Sequence, residues 1–478
     1  MTARQASPTI VIAGAGFGGI ALAILLKKAG FDGFTILERA ADVGGVWRDN
    51  TYPGAACDVP AALYSYSFET GYRWSGPYPP QAEILGYMKH CIAKYGLSPH
   101  IRFDTEVADA TFDAKASQWR IATKNGAELD ANVFVSAVGL FNRPIVPDLP
   151  GRADFRGPQF HSARWDHAAP LDGKTVAVIG TGASAIQFVP AIAPRVKQLY
   201  VFQRSPQYVV PKAMAARFGN PLLERLRVFF NFERGIPRRG SARLTAKAER
   251  GWLAYLANAV RDPELRRKLT PSYPLGCKRV LISNDWYPAM QRANVELIDA
   301  PVEAILPDGV RASDGSVRKV DAIVYGTGFS PTDYLTPMRI TGLNGRTLSE
   351  AWRDGAEAYL GITVAGFPNF FMMYGPNTNV AGSIVYMLES QARYIVGAIR
   401  TLAQKHARFI DVRADALRQF NDEVQRRLST TVLVRDDCSS YFRTASGKVT
   451  TQWPGFMFEY RRRTRKINLH DYFLNTGA

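Results

Sequence analysis

Near its start the chain places an apolar strand, a glycine-rich turn and an apolar helix in immediate succession, and near residue 175 it does so again. Residues 9–13 (TIVIA) are followed by Gly14, Gly16 and Gly19 in GAGFGG and then by a helix-like apolar segment at 20–26. A second strand at 34–37 ends in Glu38, nineteen residues after the third glycine. A dinucleotide-binding fold sets an acid there, against the ribose hydroxyls. The glycines have separate tasks: an unusual φ in the turn, close approach of backbone N–H groups to a pyrophosphate, and tight packing of helix on strand.

The second unit opens with the strand TVAVI at 175–179 and runs through Gly180, Thr181, Gly182, Ala183 and Ser184 into a helix that carries Gln187. Its next strand, 199–202, leads into Gln203, Arg204 and Ser205, so a cation stands where the first unit has its glutamate. A guanidinium binds a 2′-phosphate with a two-pronged contact, and this unit is expected to take NADPH rather than NADH. An adenine dinucleotide against Glu38 plus a phosphorylated nicotinamide cofactor against Arg204 describes a flavoprotein, with FAD in the first site and NADPH as its reductant. The fold class expected is α/β, with two Rossmann-like dinucleotide-binding domains and a helical insertion in the second.

Between the units, strand-like runs at 106–112, 119–123 and 133–137 are interrupted by the hairpin signal Asn125-Gly126. They read as an antiparallel excursion that returns to the first sheet. No third fingerprint follows residue 328, so the C-terminal part is assigned back to the first domain. That domain comprises 1–150 and 325–478, and the NADPH domain comprises 151–324. Helical spacing and few β-branched residues mark an insertion at about 213–270. Its Phe229, Phe230 and Phe232 are expected either in the core or as an apolar lip that collects a hydrophobic substrate.

A length of 478 residues with 46% hydrophobic composition supports two or three domains and excludes wholesale disorder. The net charge of +17 is local: residues 212–279 hold sixteen Lys/Arg against five Asp/Glu, and Arg461, Arg462, Arg463, Arg465 and Lys466 add five more. Without a nucleic-acid motif beside it, this surplus reads as a solvated face and anionic cofactor pockets; neither nucleic acid nor membrane contact is expected. Four cysteines, Cys57, Cys91, Cys277 and Cys438, are widely spaced and form no C-x-x-C, which argues against a disulfide framework, a metal site and a redox dithiol, and for a reducing cytoplasm. No apolar run has the length of a membrane span, and the first nine residues are too polar for a signal peptide. The electron acceptor is then a protein disulfide, a quinone or metal centre, or O2. The first is disfavoured because Cys57 has no near neighbour in sequence, and O2 leads.

Three further motifs carry a resemblance. Residues 155–166, FRGPQFHSARWD, fit F-x-G-x-x-x-H-x-x-x-W-[PD] through Phe155, Gly157, His161, Trp165 and Asp166. Gly44-Gly45-Val46-Trp47 and then Tyr52-Pro53-Gly54 with Asp58 fit G-G-x-W and Y-P-G-x-x-x-D, and Gly276-Cys277-Lys278-Arg279 fits G-x-K-R. The chain thereby resembles the type I Baeyer–Villiger monooxygenases over nearly its whole length. Related nitrogen- and sulfur-oxidising flavin monooxygenases share F-x-G-x-x-x-H but usually lack the tryptophan and the Lys-Arg pair; they remain the alternative.

The resemblance implies that a small ketone and O2 give an ester or lactone through a peroxide at flavin C4a. Negative charge that appears on oxygen during such a reaction calls for a donor that cannot lose its proton, and Arg279 is the candidate catalytic residue, oriented by Asp58. Gly45, Trp47 and Tyr64 are implied on the flavin side. Thr181, Ser184, Gln187, Ser205 and Lys278 are implied on the NADPH side with Arg204. His161 and Trp165 are implied as a linker that couples the domains, with packing the main role. Relatives often carry a tryptophan where this chain has Tyr441. No motif marks the ketone or an oligomeric state.

Overall fold

The computed structural model describes residues 8–212, 220–235, 241–444 and 446–477. Two parallel five-stranded sheets form its centre. The first runs Phe370–Met372, Val133–Ser136, Ile10–Ala13, Phe34–Leu37, Ile101–Arg102, and the second runs Gln159–His161, Ala322–Tyr325, Thr175–Ile179, Gln198–Phe202, Val295–Ile298. In each sheet the glycine-turn strand lies in the middle and is followed on one side by the next two strands of its sheet in chain order; the outermost strand on the other side comes last in the chain in the first sheet and first in the second.

These strands read as continuous apolar runs because both faces are covered. Along the first sheet, Ile10, Ile12, Phe34, Ile36, Val133 and Val135 enter one core, while Val11, Ala13, Leu37, Phe134 and Phe370 enter another. The second sheet repeats this: Val176, Val178, Leu199 and Val324 join the first core, and Ala177, Ile179, Phe202 and Ile323 form a third. The alternation is the period of two that a strand imposes on its side chains. The helix Phe17–Lys28, buried at nine of its twelve residues, packs between the first sheet and the long helix Ile384–Lys405.

The excursion is antiparallel as expected: Val107–Asp113, Gln118–Thr123 and Glu128–Ala131 pair in turn, with Gly126 at positive φ between the last two. Arg339–Thr341 adds to its edge in parallel. The basic insertion leaves and returns through the paired strands Val209–Val210 and Leu281–Ile282. Its helices Pro221–Glu233, Ala242–Ala259 and Pro263–Lys268 start at Asn220, Ser241 and Asp262, whose side chains each accept a backbone N–H. The expectation of helix at 213–219 and 236–240 falls outside the described residues. No helix among the described residues is long and apolar enough to cross a membrane.

One expectation is overturned. Cys277 and Cys438 form a disulfide across a sequence separation of 161 residues. Spacing along the chain says nothing about a contact made by two loops that the fold brings together, and the absence of C-x-x-C was no evidence against it. Cys57 and Cys91 are free and buried.

Candidate active site

A cavity of about 1080 Å³ opens at the carboxyl ends of the first sheet's strands, where Ala13, Leu37 and Ala137 reach it. It exceeds the roughly 300–1,000 Å³ of a single-ligand pocket, and its position is where open α/β sheets hold ligands. Of the residues singled out in the sequence, Gly14, Gly16, Glu38, Gly45, Trp47, Asp58, Tyr64, Gln187, Lys278 and Arg279 line it. Gly19 lies beneath the first turn. Gly180, Thr181, Gly182, Ser184, Arg204 and Ser205 surround the second turn, of which Ala183 reaches the cavity.

Gly14 has φ +109°, and a Cβ there would lie 2.6 Å from Ala137 O; one on Gly19 would be driven into Gly14 O. A Cβ on Gly16 would meet no protein atom within 4 Å. Gly14 and Gly19 are demanded by the fold, and Gly16 leaves open ground at a helix N-terminus that no side chain caps, which fits a pyrophosphate. In the second unit a Cβ on Gly180 would lie 2.5 Å from Gly326 O and one on Gly182 would meet nothing closer than 3.9 Å, so the same division of tasks recurs.

Glu38 is buried at the end of its strand and accepts from the amides of Ala15 (2.9 Å) and Ala40 (3.1 Å). Arg48 meets it at 2.9 Å and is itself held by Asp49 and the carbonyl of Asp42. The carboxylate is thereby fixed at the cavity wall, and Arg48 adds a cation beside it. Gly45, at φ +53°, brings backbone to the cavity beside Trp47, whose indole N–H donates to Tyr64 Oη at 3.1 Å. The two rings meet edge to face at 5.7 Å, and Phe17 closes on Tyr64 in the same manner at 5.3 Å, a rigid aromatic floor.

Arg279 places Nη2 2.6 and 2.5 Å from the two oxygens of Asp58, 221 residues away in sequence. That carboxylate, ahead of the opposing effect of burial, holds the guanidinium pKa above its ordinary value. One nitrogen takes both contacts, so the rest of the fork is left to the cavity; the side chain is 47% exposed because it faces that space. Tyr374 and Tyr441 stand within electrostatic reach, and burial raises both phenols despite Arg279, so neither ionises near neutrality. Tyr374 adopts φ +61° and is pinned by its Oη on Asn379 (2.8 Å) and its amide on Gln391 (2.9 Å).

Lys278 turns away from its neighbour. Its Nζ donates to Ser205 Oγ at 2.7 Å over the ring of Tyr273, and Thr181 Oγ1 donates to Ser205 O at 3.4 Å. Burial and then the nearby Arg204 lower the Lys278 pKa. Lys278 meets a hydroxyl with Arg204 within electrostatic reach, and neither cation has an acidic partner among the described residues, a combination that fits a dianionic phosphate.

Gln187 has another occupation. Its Oε1 accepts from Tyr52 Oη and its Nε2 donates to Ala56 O, both at 2.9 Å, and a Cβ on Gly54 would lie 2.7 Å from its backbone oxygen. It clasps the two units together, and Ser184 interacts with the same tyrosine. His161 lies in the second sheet, accepts from the amide of Ala163 and packs edge-on to Phe329; burial, as the largest cause, pushes its pKa down to about 4. It is neutral at pH 7 and lies off the cavity wall. Trp165 packs on Phe160 and Phe188.

Residues 7–335 match the family model described as flavin-binding monooxygenase-like. A Baeyer–Villiger monooxygenase of Streptomyces coelicolor is 43% identical over 97% of this chain and 92% of its own length. The chain belongs to the Baeyer–Villiger monooxygenases. Among solved structures, oxidized steroid monooxygenase bound to NADP matches with a TM-score of 0.88 and 29% identity over 99% of this chain and 100% of that one. OTEMO in complex with FAD and NADP matches with 0.88 and 25% over 98% and 100%. This Baeyer–Villiger monooxygenase is an FAD-containing, NADPH-dependent enzyme of mixed α/β fold, and the family assignment favours it over the nitrogen- and sulfur-oxidising alternative. Sequence reasoning passed over Arg48, Tyr374 and Asn379. Arg48 carries one local signal, a basic residue one position past Trp47 in the G-G-x-W segment, whereas Tyr374 and Asn379 follow no motif.

Proposed function

We infer that this Baeyer–Villiger monooxygenase inserts one oxygen atom of O2 beside the carbonyl of a small ketone to give an ester or lactone, with Arg279 as the fixed cation at the reacting oxygen. NADPH, a proton, O2 and the ketone enter; NADP+, water and the ester leave. The observation that supports this best is the four-residue segment of Gly276 to Arg279, whose Lys278 joins the phosphate-type cluster while Arg279 faces the cavity. FAD, when bound, supplies the reduced ring that activates O2.

The remaining roles belong to the chain. Gly16 and Gly182 admit pyrophosphate at two helix N-termini, Glu38 takes a ribose, and Arg204, Ser205 and Lys278 take the 2′-phosphate. Trp47 and Tyr64 wall the flavin side. Asp58 fixes the orientation of Arg279, and the fork's free N–H groups stabilise negative charge on oxygen as it develops. Because the pair is preformed, no reorganisation is needed at that moment. A division into 1–150 plus 325–478 and 151–324 is supported by the sheet to which each strand belongs, except at the last boundary, where Tyr325 still pairs within the second sheet. A cytoplasmic location is part of the reading, supported by the demand for NADPH; the cysteine argument for it fell with the Cys277–Cys438 bond.

Turnover with NADPH, O2 and a mixed panel of ketones and sulfides, followed by product analysis, tests the reading. Esters or lactones are expected, and sulfoxides alone would replace it with the heteroatom-oxidising alternative.

A further inference from the structure

The insertion helix Pro221–Glu233 is oriented with much of its apolar surface outward. Leu222, Leu223, Leu226 and Phe230 are 59%, 55%, 43% and 58% exposed. At about 100° per residue these four lie within one arc of roughly 100°, a continuous stripe. Away from the stripe the helix carries the buried Val228 and Phe232 on the cavity wall, while Phe229, beside Leu222 at the edge of the stripe, packs on Tyr386 at 5.3 Å. Phe230, expected in the core or at a ketone-collecting lip, is neither: it points to solvent and does not line the cavity. The stripe continues beyond the helix, since Phe458, 49% exposed, is tied to it by its amide on Glu233 Oε1 at 3.0 Å. Single exposed leucines need no explanation, but a contiguous apolar strip does.

Exposed cations stand at one end of this strip: Arg234 closes the helix and Arg462 is one turn from Phe458, whereas Arg461, over the ring of Tyr386 at 5.2 Å, is paired with Glu389 at 3.8 Å. Acids on the helix are already engaged: Glu224 pairs with Arg227 at 2.6 Å, and Glu233 receives the Phe458 amide. Across residues 217–250 the sequence holds nine Lys/Arg and three Glu.

We propose that the face formed by Leu222, Leu223, Leu226, Phe230 and Phe458 docks on an anionic lipid surface. An apolar stripe beside arginines is what an interfacial helix presents: the apolar side chains enter the boundary of headgroups and acyl chains while the guanidiniums stay among the phosphates. A second copy of this chain is a poor occupant. A two-fold contact would set the same basic surplus against itself.

The test is sedimentation of the full-length holoenzyme with vesicles of phosphatidylcholine alone and with about 30% phosphatidylserine. At low salt, pelleting with the anionic vesicles at least ~10-fold above the neutral ones is expected, with loss at high salt. Leu222→Ser combined with Phe230→Ser should weaken binding about tenfold or more while FAD content and NADPH oxidation in solution are unchanged. If that variant loses FAD, Leu223→Gln with Leu226→Gln replaces it. Failure to pellet on either vesicle at low salt overturns the proposal, as does equal pelleting on both or pelleting that the substitutions do not weaken. A dimer seen by sedimentation velocity and abolished by the same substitutions would assign the face to a second copy instead. None of these readouts depends on the ketone reaction.

Discussion

Arg279 offers one nitrogen to Asp58 and the rest of its fork to the cavity, which separates two roles that a variant can tell apart. Arg279→Ala should still bind FAD and still oxidise NADPH, but ester yield should fall by about a hundred- to a thousandfold, the ~2.7–4 kcal/mol typical of one lost donor to an oxyanion. Oxygen consumption should then appear as hydrogen peroxide. Lysine should not rescue the loss, because a point charge lacks the fork. Substantial ester from Arg279→Ala would remove the role, and an equal loss of flavin reduction would reassign it to holding the nicotinamide. Arg204 and Lys278 allow a second test. Arg204→Ala should raise the KM for NADPH about ten- to a hundredfold and leave that for NADH unchanged, as the loss of a charged hydrogen bond of about 1.5–3 kcal/mol requires. The pH profile adds a sign. Burial and Arg204 lower the Lys278 pKa, so its charge is lost on the alkaline side before that of an ordinary lysine, and kcat/KM for NADPH should decline there. Removing Arg204 takes away one of the two depressing causes, and the decline should move to higher pH. A limb that stays in place would mean Lys278 does not hold the phosphate.

The strand–turn–helix of residues 10–28 carries two glycines that differ in kind, and substitution should show it. Gly19→Ala pushes a methyl into Gly14 O, so the unit itself should be destabilised, with a lower Tm and poor expression. Gly16→Ala meets no protein atom, so the protein should fold with near-native Tm and lose FAD. Flavin absorbance beside a thermal melt separates the two, and normal FAD content in Gly16→Ala would deny that position the pyrophosphate. At the same scale the Cys277–Cys438 bond ties the segment bearing Lys278 and Arg279 to the loop bearing Tyr441. Cys438→Ser should raise the KM for NADPH and cost roughly 2–5 kcal/mol of stability, since a long loop is released in the unfolded state. FAD content should be unchanged. An unaltered Tm and KM would show that the tether contributes nothing. Elements of this kind were unequally legible. The two glycine units, the Asn125-Gly126 hairpin and the helices of the insertion follow from local pattern, but a bond across 161 residues has no local trace.

Across the molecule, the clasp of Tyr52, Gln187 and Ala56 joins the two units beside the cavity. Gln187→Ala should leave FAD bound and NADPH affinity nearly intact yet slow flavin reduction about tenfold, because misplacing the donor by a fraction of an ångström is enough to lose much of the benefit of orientation. Stopped-flow reduction with NADPH under argon measures it, and an unchanged rate would leave the clasp without a part in catalysis. What the amino-acid sequence determined by itself was the pair of dinucleotide units and the opposite charges, Glu38 and Arg204, at their ribose positions. Those features live within some thirty residues of chain, where backbone sterics and hydrophobic period settle which residue does what. Arg279 and Asp58 were reached through the resemblance, being 221 residues apart. The tertiary structure alone decided that Arg48 meets Glu38, that Gln187 clasps Tyr52 and Ala56, that Cys277 finds Cys438, and that Leu222, Leu223, Leu226 and Phe230 of Pro221–Glu233 stay exposed. Helical spacing shows which residues share a face, but whether that face is buried depends on what packs against it, and that is a property of distant parts of the chain brought together by folding.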